Sequence, residues 1–157
     1  MVLDNGQMGI YSGEKSLVLG LDPGRDKIGF AFVALNGDLI TSGIFPANER
    51  ETFFAGEDIL AFVIEKRGDA NLSEVKFIAL GNGTNSKEFH KYVKNKVACE
   101  IVIVDERNTT LEARKLYWKI HKPGLFARIL PEGLRVPNRV LDDLAAWNIA
   151  LRALNKI

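Results

Sequence analysis

The stretch LVLGLDPGRDKIGFAFV, Leu17 to Val33, decides how the rest of the chain is read. Two apolar runs of strand length flank the short charged link DPGRD, and the first run closes on a carboxylate, Asp22. Residues 17–22 and 27–35 read as strands, and residues 39–45 as a third. Asn36-Gly37 marks a tight hairpin between the last two, with positive φ expected at both positions. The chain therefore opens as an antiparallel meander. The open question is why a buried strand should end on an aspartate.

Downstream, Asn48 and Glu51 have capping-box spacing, and Phe54, Ile59, Leu60, Phe62, Val63 and Ile64 supply an apolar side. This predicts a helix of about five turns ended by Gly68. VKFIAL (75–80) and EIVIVDE (100–106) are near-continuous apolar runs suited to central strands buried on both faces. A polar helix is expected over 86–96, and another opens at Thr109 and Glu112, a second capping-box pair, and stops before Pro123. A loop over 122–138 leads to a last helix over 139–155, with Asn138 as its cap. A meander followed by βα units makes an α/β domain with a five-stranded mixed sheet flanked by helices. The first three strands are antiparallel, and the first, fourth and fifth are parallel. Residues 1–15 read as a flexible extension and 16–157 as a single domain.

The composition, 46% hydrophobic and 26% charged, is that of an ordinary globular protein. No apolar run approaches the roughly 18–20 residues a membrane span needs, and the polar N-terminus lacks the features of a signal peptide. The lone Cys99 excludes an internal disulfide and suits a reducing, cytoplasmic setting. His90 and His121 have no partners at ligand spacing, which argues against zinc. Residues 107–157 carry ten Lys/Arg against four Asp/Glu, a net +6, whereas residues 1–106 carry −5. That basic third can meet a phosphate backbone, with Arg128, Arg135 and Arg139, on or beside its loop, as contacts.

The acids cluster at strand ends. Asp22 closes the first strand, Asp105 and Glu106 the fifth, and Asp142 and Asp143 open the last helix. Alone, each has an ordinary reading as a turn or helix-end residue. Together they would lie at one sheet edge, where the carboxyl ends of parallel strands gather functional groups. Clustered carboxylates repel each other, and a divalent cation removes the repulsion; oxygen donors without paired His or Cys suit Mg²⁺ or Mn²⁺. Asp142 lies on the alanine side of its helix with Ala145 and Ala146, whereas Asp143 borders the Leu144/Trp147 stripe. This favours Asp142 as ligand, with Asp143 in reserve. The fifth strand stands two strand spacings, roughly 10 Å, from the first, so Glu106 must reach inward.

LGLDPGRDKIGFAFV, ALGNGT, VDERNTTLEAR and LDDLAAWNIAL together resemble the YqgF/RuvX family of RNase H-like nucleases, relatives of the RuvC Holliday-junction resolvases. The resemblance spans about residues 17–154. It implies an RNase H-like fold and metal-dependent cleavage of phosphodiester bonds in structured nucleic acid, either branched DNA or the 5′ end of precursor 16S rRNA. Carried over, Asp22, Glu106 and Asp142 would be the catalytic, metal-binding acids. Lys27 and Arg107, with Asn82 and Thr84 of the GNGT loop, would line the nucleic-acid site. Lys27, Asn108, Asn82-Gly83 and Asp143 depart from the usual family residues. Those departures motivate an alternative, a non-catalytic nucleic-acid-binding module on the same fold. A sugar-kinase or actin-like ATPase shares the hairpin opening but needs two lobes, and this chain holds one. Cutting two strands of a four-way junction would suit a two-fold homodimer.

Overall fold

The computed structural model describes residues 15–56, 59–131 and 134–155. The expected extension over 1–15 lies outside them apart from Lys15. The strands are β1 (Leu17–Pro23), β2 (Lys27–Ala34), β3 (Leu39–Pro46), β4 (Val63–Lys66), β5 (Val75–Gly81) and β6 (Glu100–Val104). The helices are α1 (Arg50–Phe54), α2 (Ser86–Lys96), α3 (Thr109–Ile120), α4 (Leu125–Ile129) and α5 (Asp142–Ala153). One six-stranded sheet runs in the order β4-β3-β2-β1-β5-β6. β1, β2, β3 and β4 pair antiparallel, and β5 and β6 run parallel to β1.

The sheet is covered on both faces, and the period of two along each strand sorts its residues between them. Leu17, Leu19 and Leu21 of β1 point to an aromatic core with Phe30, Phe45 and Phe53, completed by Phe89 and Val93 of α2. Val18 belongs to the opposite core, under α3 and α5. Gly20 and Asp22 follow Val18 at intervals of two, so Asp22 stands on the α5 face. Register lines up Val18 with Val33, Gly20 with Ala31 and Asp22 with Gly29. The strand is apolar until it reaches the sheet edge, and there the α5 face carries a carboxylate.

Helix α5 is buried nearly all round, from Asp143 to Leu151. It lies unusually close to the sheet. A Cβ on Gly20 would overlap the Ala146 carbonyl oxygen and stand 3.1 Å from the Ala150 Cβ; one on Gly29 would overlap the Asp142 carbonyl oxygen. Trp147 Nε1 donates to the Gly37 carbonyl at 3.0 Å, tying the helix to the β2–β3 turn.

The structure corrects the sequence reading between residues 48 and 68. In place of a five-turn helix there is a 3-10 turn, the short α1, a second 3-10 turn over Ile59–Phe62, and then β4. Gly56 adopts φ +77°, which a continuing helix cannot accommodate. Phe53 stacks on Phe45 at 4.3 Å, and Phe62 reaches Phe45 at 6.0 Å. Burying these rings against the sheet outweighs helical periodicity. The β-branched Val63 and Ile64 then extend the sheet, so it has six strands rather than five. Neither capping box forms. Glu51 instead accepts from Tyr92 Oη and Lys96 Nζ, and Asn108, at φ 64°, occupies the cap position of α3. The β2–β3 turn is also longer than expected, because only Gly37 takes positive φ there. β6 ends at Val104, the loop over 122–138 contains α4, and the last helix begins at Asp142, while Asn138 accepts from Tyr117 Oη.

Gly20→Ala tests the close approach of α5. Its Cβ meets backbone rather than a movable side chain, so stability should fall by about 3 kcal/mol, the upper end of overpacking costs. Thermal unfolding measures this, with the exposed Gly124→Ala, where a Cβ has open space, as the near-neutral control. Equal melting temperatures for the two variants would contradict the packing described.

Candidate active site

Three elements bring Asp22, Glu106 and Asp142 to one edge. Asp22 ends β1 on the α5 face. Asp142 is the first residue of α5 and arrives beside Asp22 because Gly29, the cross-strand partner of Asp22, lets the helix backbone settle on β2. Glu106 follows β6 and lies across the end of β5. A Cβ on Gly81 would stand 2.5 Å from Glu106 Oε1, and one on Gly83 would overlap Oε2. The Gly-Asn-Gly sequence is therefore a gap through which Glu106 crosses one strand to reach Asp22. Asn82 between the two glycines accepts from the Glu106 backbone N–H at 3.1 Å and fixes the start of that reach.

The three carboxylates line one cleft of about 510 Å³, together with Gly24, Arg25, Lys27, Gly83 and Thr84. Burial, a hydrogen bond with Glu106 and the charges of Glu106 and Asp142 push Asp22 up to about 8. At neutral pH Asp22 thus holds its proton, hydrogen-bonded with Glu106. Asp142 Oδ2 is paired with Lys27 Nζ at 3.5 Å. Among the described residues, no group of three acidic, histidine or cysteine side chains is arranged to hold a metal ion. Asp22 and Glu106 face each other, while Asp142 leans to Lys27.

The other acids of the expected cluster stand apart. Asp105 is exposed and turns to Arg107, whose backbone N–H and guanidinium hold its carboxyl below the usual range. Asp143 is 0% exposed, and its carboxylate accepts from Ser42 Oγ at 2.7 Å and from Arg139 Nη1 at 2.7 Å. Arg139 also bonds Glu65 at 2.7 Å, and Glu65 meets His121 Nε2 at 2.6 Å. Burial alone would raise Glu65, but the bonds from His121 and Arg139 outweigh it and hold its carboxyl low. The guanidinium of Arg139 is therefore committed to the interior.

Two further arginines organise the loop over 122–138. Arg135 donates to the carbonyls of Ala127 and Leu130, and Arg128 to that of Pro123. The same segment presents Leu125, Phe126 and Ile129 of α4 to solvent, with Phe126 88% exposed. Sequence reasoning passed over Phe126, and also over Arg25, which lies in the DPGRD turn and lines the cleft beside Asp22.

Residues 16–113 match the family model of the Tex protein YqgF-like domain, well over half of the chain. The chain belongs to this family. Asp22 and Glu106 fall within the matched residues, and Asp142 lies beyond them. No curated protein matches the chain. The YqgF-like domain here is a mixed α/β sheet flanked by helices, in keeping with the RNase H-like fold, and its family is nuclease-related. Among the described residues, no helix is long and apolar enough to cross a membrane.

The raised Asp22 fixes a pH dependence. An unfolded aspartate titrates near 3.9, so between about pH 4 and 8 folding requires Asp22 to take up a proton. The stability tied to that proton is complete below about pH 4 and is lost as the pH rises through about 8. Asp22→Asn, which lacks the charge, should raise the melting temperature in EDTA more at pH 8 than at pH 5. Equal shifts at the two pH values would refute the raised Asp22.

Proposed function

We propose that this YqgF-like domain hydrolyses phosphodiester bonds in structured nucleic acid with the help of Mg²⁺ or Mn²⁺. The observation that carries the reading is the Asp22–Glu106 pair, two carboxylates forced together at a strand end with a third, Asp142, beside them. The fold makes two separate concessions to bring them there: the glycine gap under Glu106 and the glycine under α5. Packing alone asks for neither carboxylate. The donors are hard oxygens, which fits a hard divalent cation, and the cation would replace the proton that Asp22 holds.

Asp22, Glu106 and Asp142 would hold the metal, which when bound supplies Lewis acidity at the phosphoryl oxygen and a more acidic water. The chain's own residues do the rest. Lys27 and Arg25 set positive charge on the rim of the acid cleft and draw a phosphate toward it. Gly24 keeps side chains off the floor of the turn. Asn82 orients Glu106 through its backbone. Lys27 also holds Asp142 when no phosphate is near, and a phosphate in the cleft would compete for that ammonium and release Asp142 to the pair. Branched DNA and precursor rRNA are the substrates to try, in a cytoplasmic setting, and a two-fold homodimer would suit a junction substrate.

A second reading, a nucleic-acid-binding module without catalysis, draws on the Lys27–Asp142 pair, which leaves only Asp22 and Glu106 facing each other. The two readings part on metal. If the domain is a nuclease, Mn²⁺ at a hundredfold over its Kd should raise the melting temperature by about 5–10 °C, and Asp22→Asn should remove that rise. The parent should cut a labelled four-way junction or a pre-rRNA fragment with Mn²⁺ but not with EDTA, and Asp22→Asn should bind either substrate and cut neither. Binding that is indifferent to both Mn²⁺ and Asp22→Asn, with no cleavage, would establish the binding module instead.

A further inference from the structure

A second cavity, about 270 Å³, opens beside Asp22 and Asp142. It lies between the first turns of α3 and the segment 136–141, and it shares Asp22 and Asp142 with the larger cleft. Asp22 and Asp142 thus form a wall common to two clefts. A nucleotide chain with one phosphate at that wall must continue away from it in both directions, and the two clefts supply them.

The walls of the smaller cavity differ in chemistry. Thr110 and Arg114 are four residues apart on α3 and share a face, with Thr109 and Ala113 on the neighbouring row. The small Ala113 leaves room between them. Val136, Pro137 and Leu141 make an apolar opposite wall. A cation and hydroxyls facing an apolar surface match a nucleotide, whose phosphate and sugar are polar and whose base has apolar faces. Two arginines border the space. Arg139 is committed to Asp143 and Glu65, whereas Arg114 forms no ion pair among the described residues.

We propose that this cavity seats the nucleotide next to the phosphate held at the acids, with Arg114 as its positioning cation. The inference rests on the nucleic-acid reading above and specifies its substrate. The space suits one nucleotide rather than a base pair, so that nucleotide is unpaired, as at a branch point or in a single-stranded tail.

Anisotropy titrations over a range of salt test this with a fluorescein-labelled stem-loop RNA carrying a single-stranded tail, the same stem without a tail, and a four-way DNA junction. Every protein carries Asp22→Asn so that nothing is cut. Arg114→Ala should weaken binding of the tailed RNA or the junction about tenfold and lower the salt slope by about one. Arg114→Lys should restore the slope but not all of the affinity. The blunt stem should be insensitive to both. Should Arg114→Ala fail to fold, Thr110→Val and Arg114→Lys carry the test, each weakening the tailed substrate and sparing the blunt one. Unchanged affinity and slope, equal loss on tailed and blunt substrates, or no binding of any of them would overturn the proposal. Cleavage by the Asp22-intact protein is scored separately. Absence of cutting with the Arg114 effects intact would sink the nuclease reading and leave the subsite standing; cutting without those effects would do the reverse.

Discussion

The backbone of α5 rests on the sheet at two glycines, and the arrangement of the acids depends on that contact. Gly20 and Gly29 occupy neighbouring strands on the same face, where Ala146 and the start of α5 press down. With side chains at these positions the helix would ride higher, and Asp142 would no longer reach the level of Asp22. The approach is stabilised from both ends. Trp147 fastens the helix to the β2–β3 turn, and Asp143 fastens its first turn to Ser42 of β3 and to Arg139. Position along the sheet and height above it are set separately, the first by directed bonds and the second by the absence of Cβ atoms.

The same device, applied from the other side, brings in Glu106. An acid after β6 is too far from β1 to meet it directly, since β5 lies between them. Gly81 and Gly83 clear the end of β5 so that the longer glutamate side chain can lie across it. An aspartate at residue 106 would be a methylene too short for that crossing, and residue 105 points the wrong way, toward Arg107. At Gly20, Gly29, Gly81 and Gly83 the missing Cβ is what lets backbone or carboxylate come close.

Much of this was legible in the sequence. The meander, the buried β5 and the gathering of acids at one sheet edge follow from apolar runs and from where acids meet strand ends, and the family resemblance singled out Glu106 beside Asp105. The alanine side of the last helix likewise pointed to Asp142 over Asp143. The apolar run 100–106, expected as a second central strand, forms the half-exposed edge strand β6 instead. Residues 48–68 were misread because their apolar spacing is helical, yet the rings of Phe53 and Phe62 are held by contacts with Phe45, which is distant in sequence. Gly56 was the local sign that the helix stops. Arg139 was misplaced for a related reason. Charge in a loop suggests phosphate, and only the fold reveals that Asp143 is buried beneath it and needs a cation.

That contrast between adjacent aspartates separates structural acids from candidate chemical ones. Asp143 is fully buried, and the fold neutralises it with Arg139, Ser42 and, through Arg139, the Glu65–His121 pair. A buried charge supplied in this way fixes the register of a helix and has no capacity left for a ligand. Asp22 and Glu106 receive the opposite treatment. No arginine or lysine is paired with either one among the described residues; Lys27 reaches Asp142 only. Asp22 is left to hold a proton against Glu106 and Asp142, at a cost that rises with pH. Since the fold can neutralise a buried aspartate one residue away from Asp142, the unneutralised pair is a feature of the site rather than a limit of the scaffold. The positive charge missing there is what a bound cation would provide.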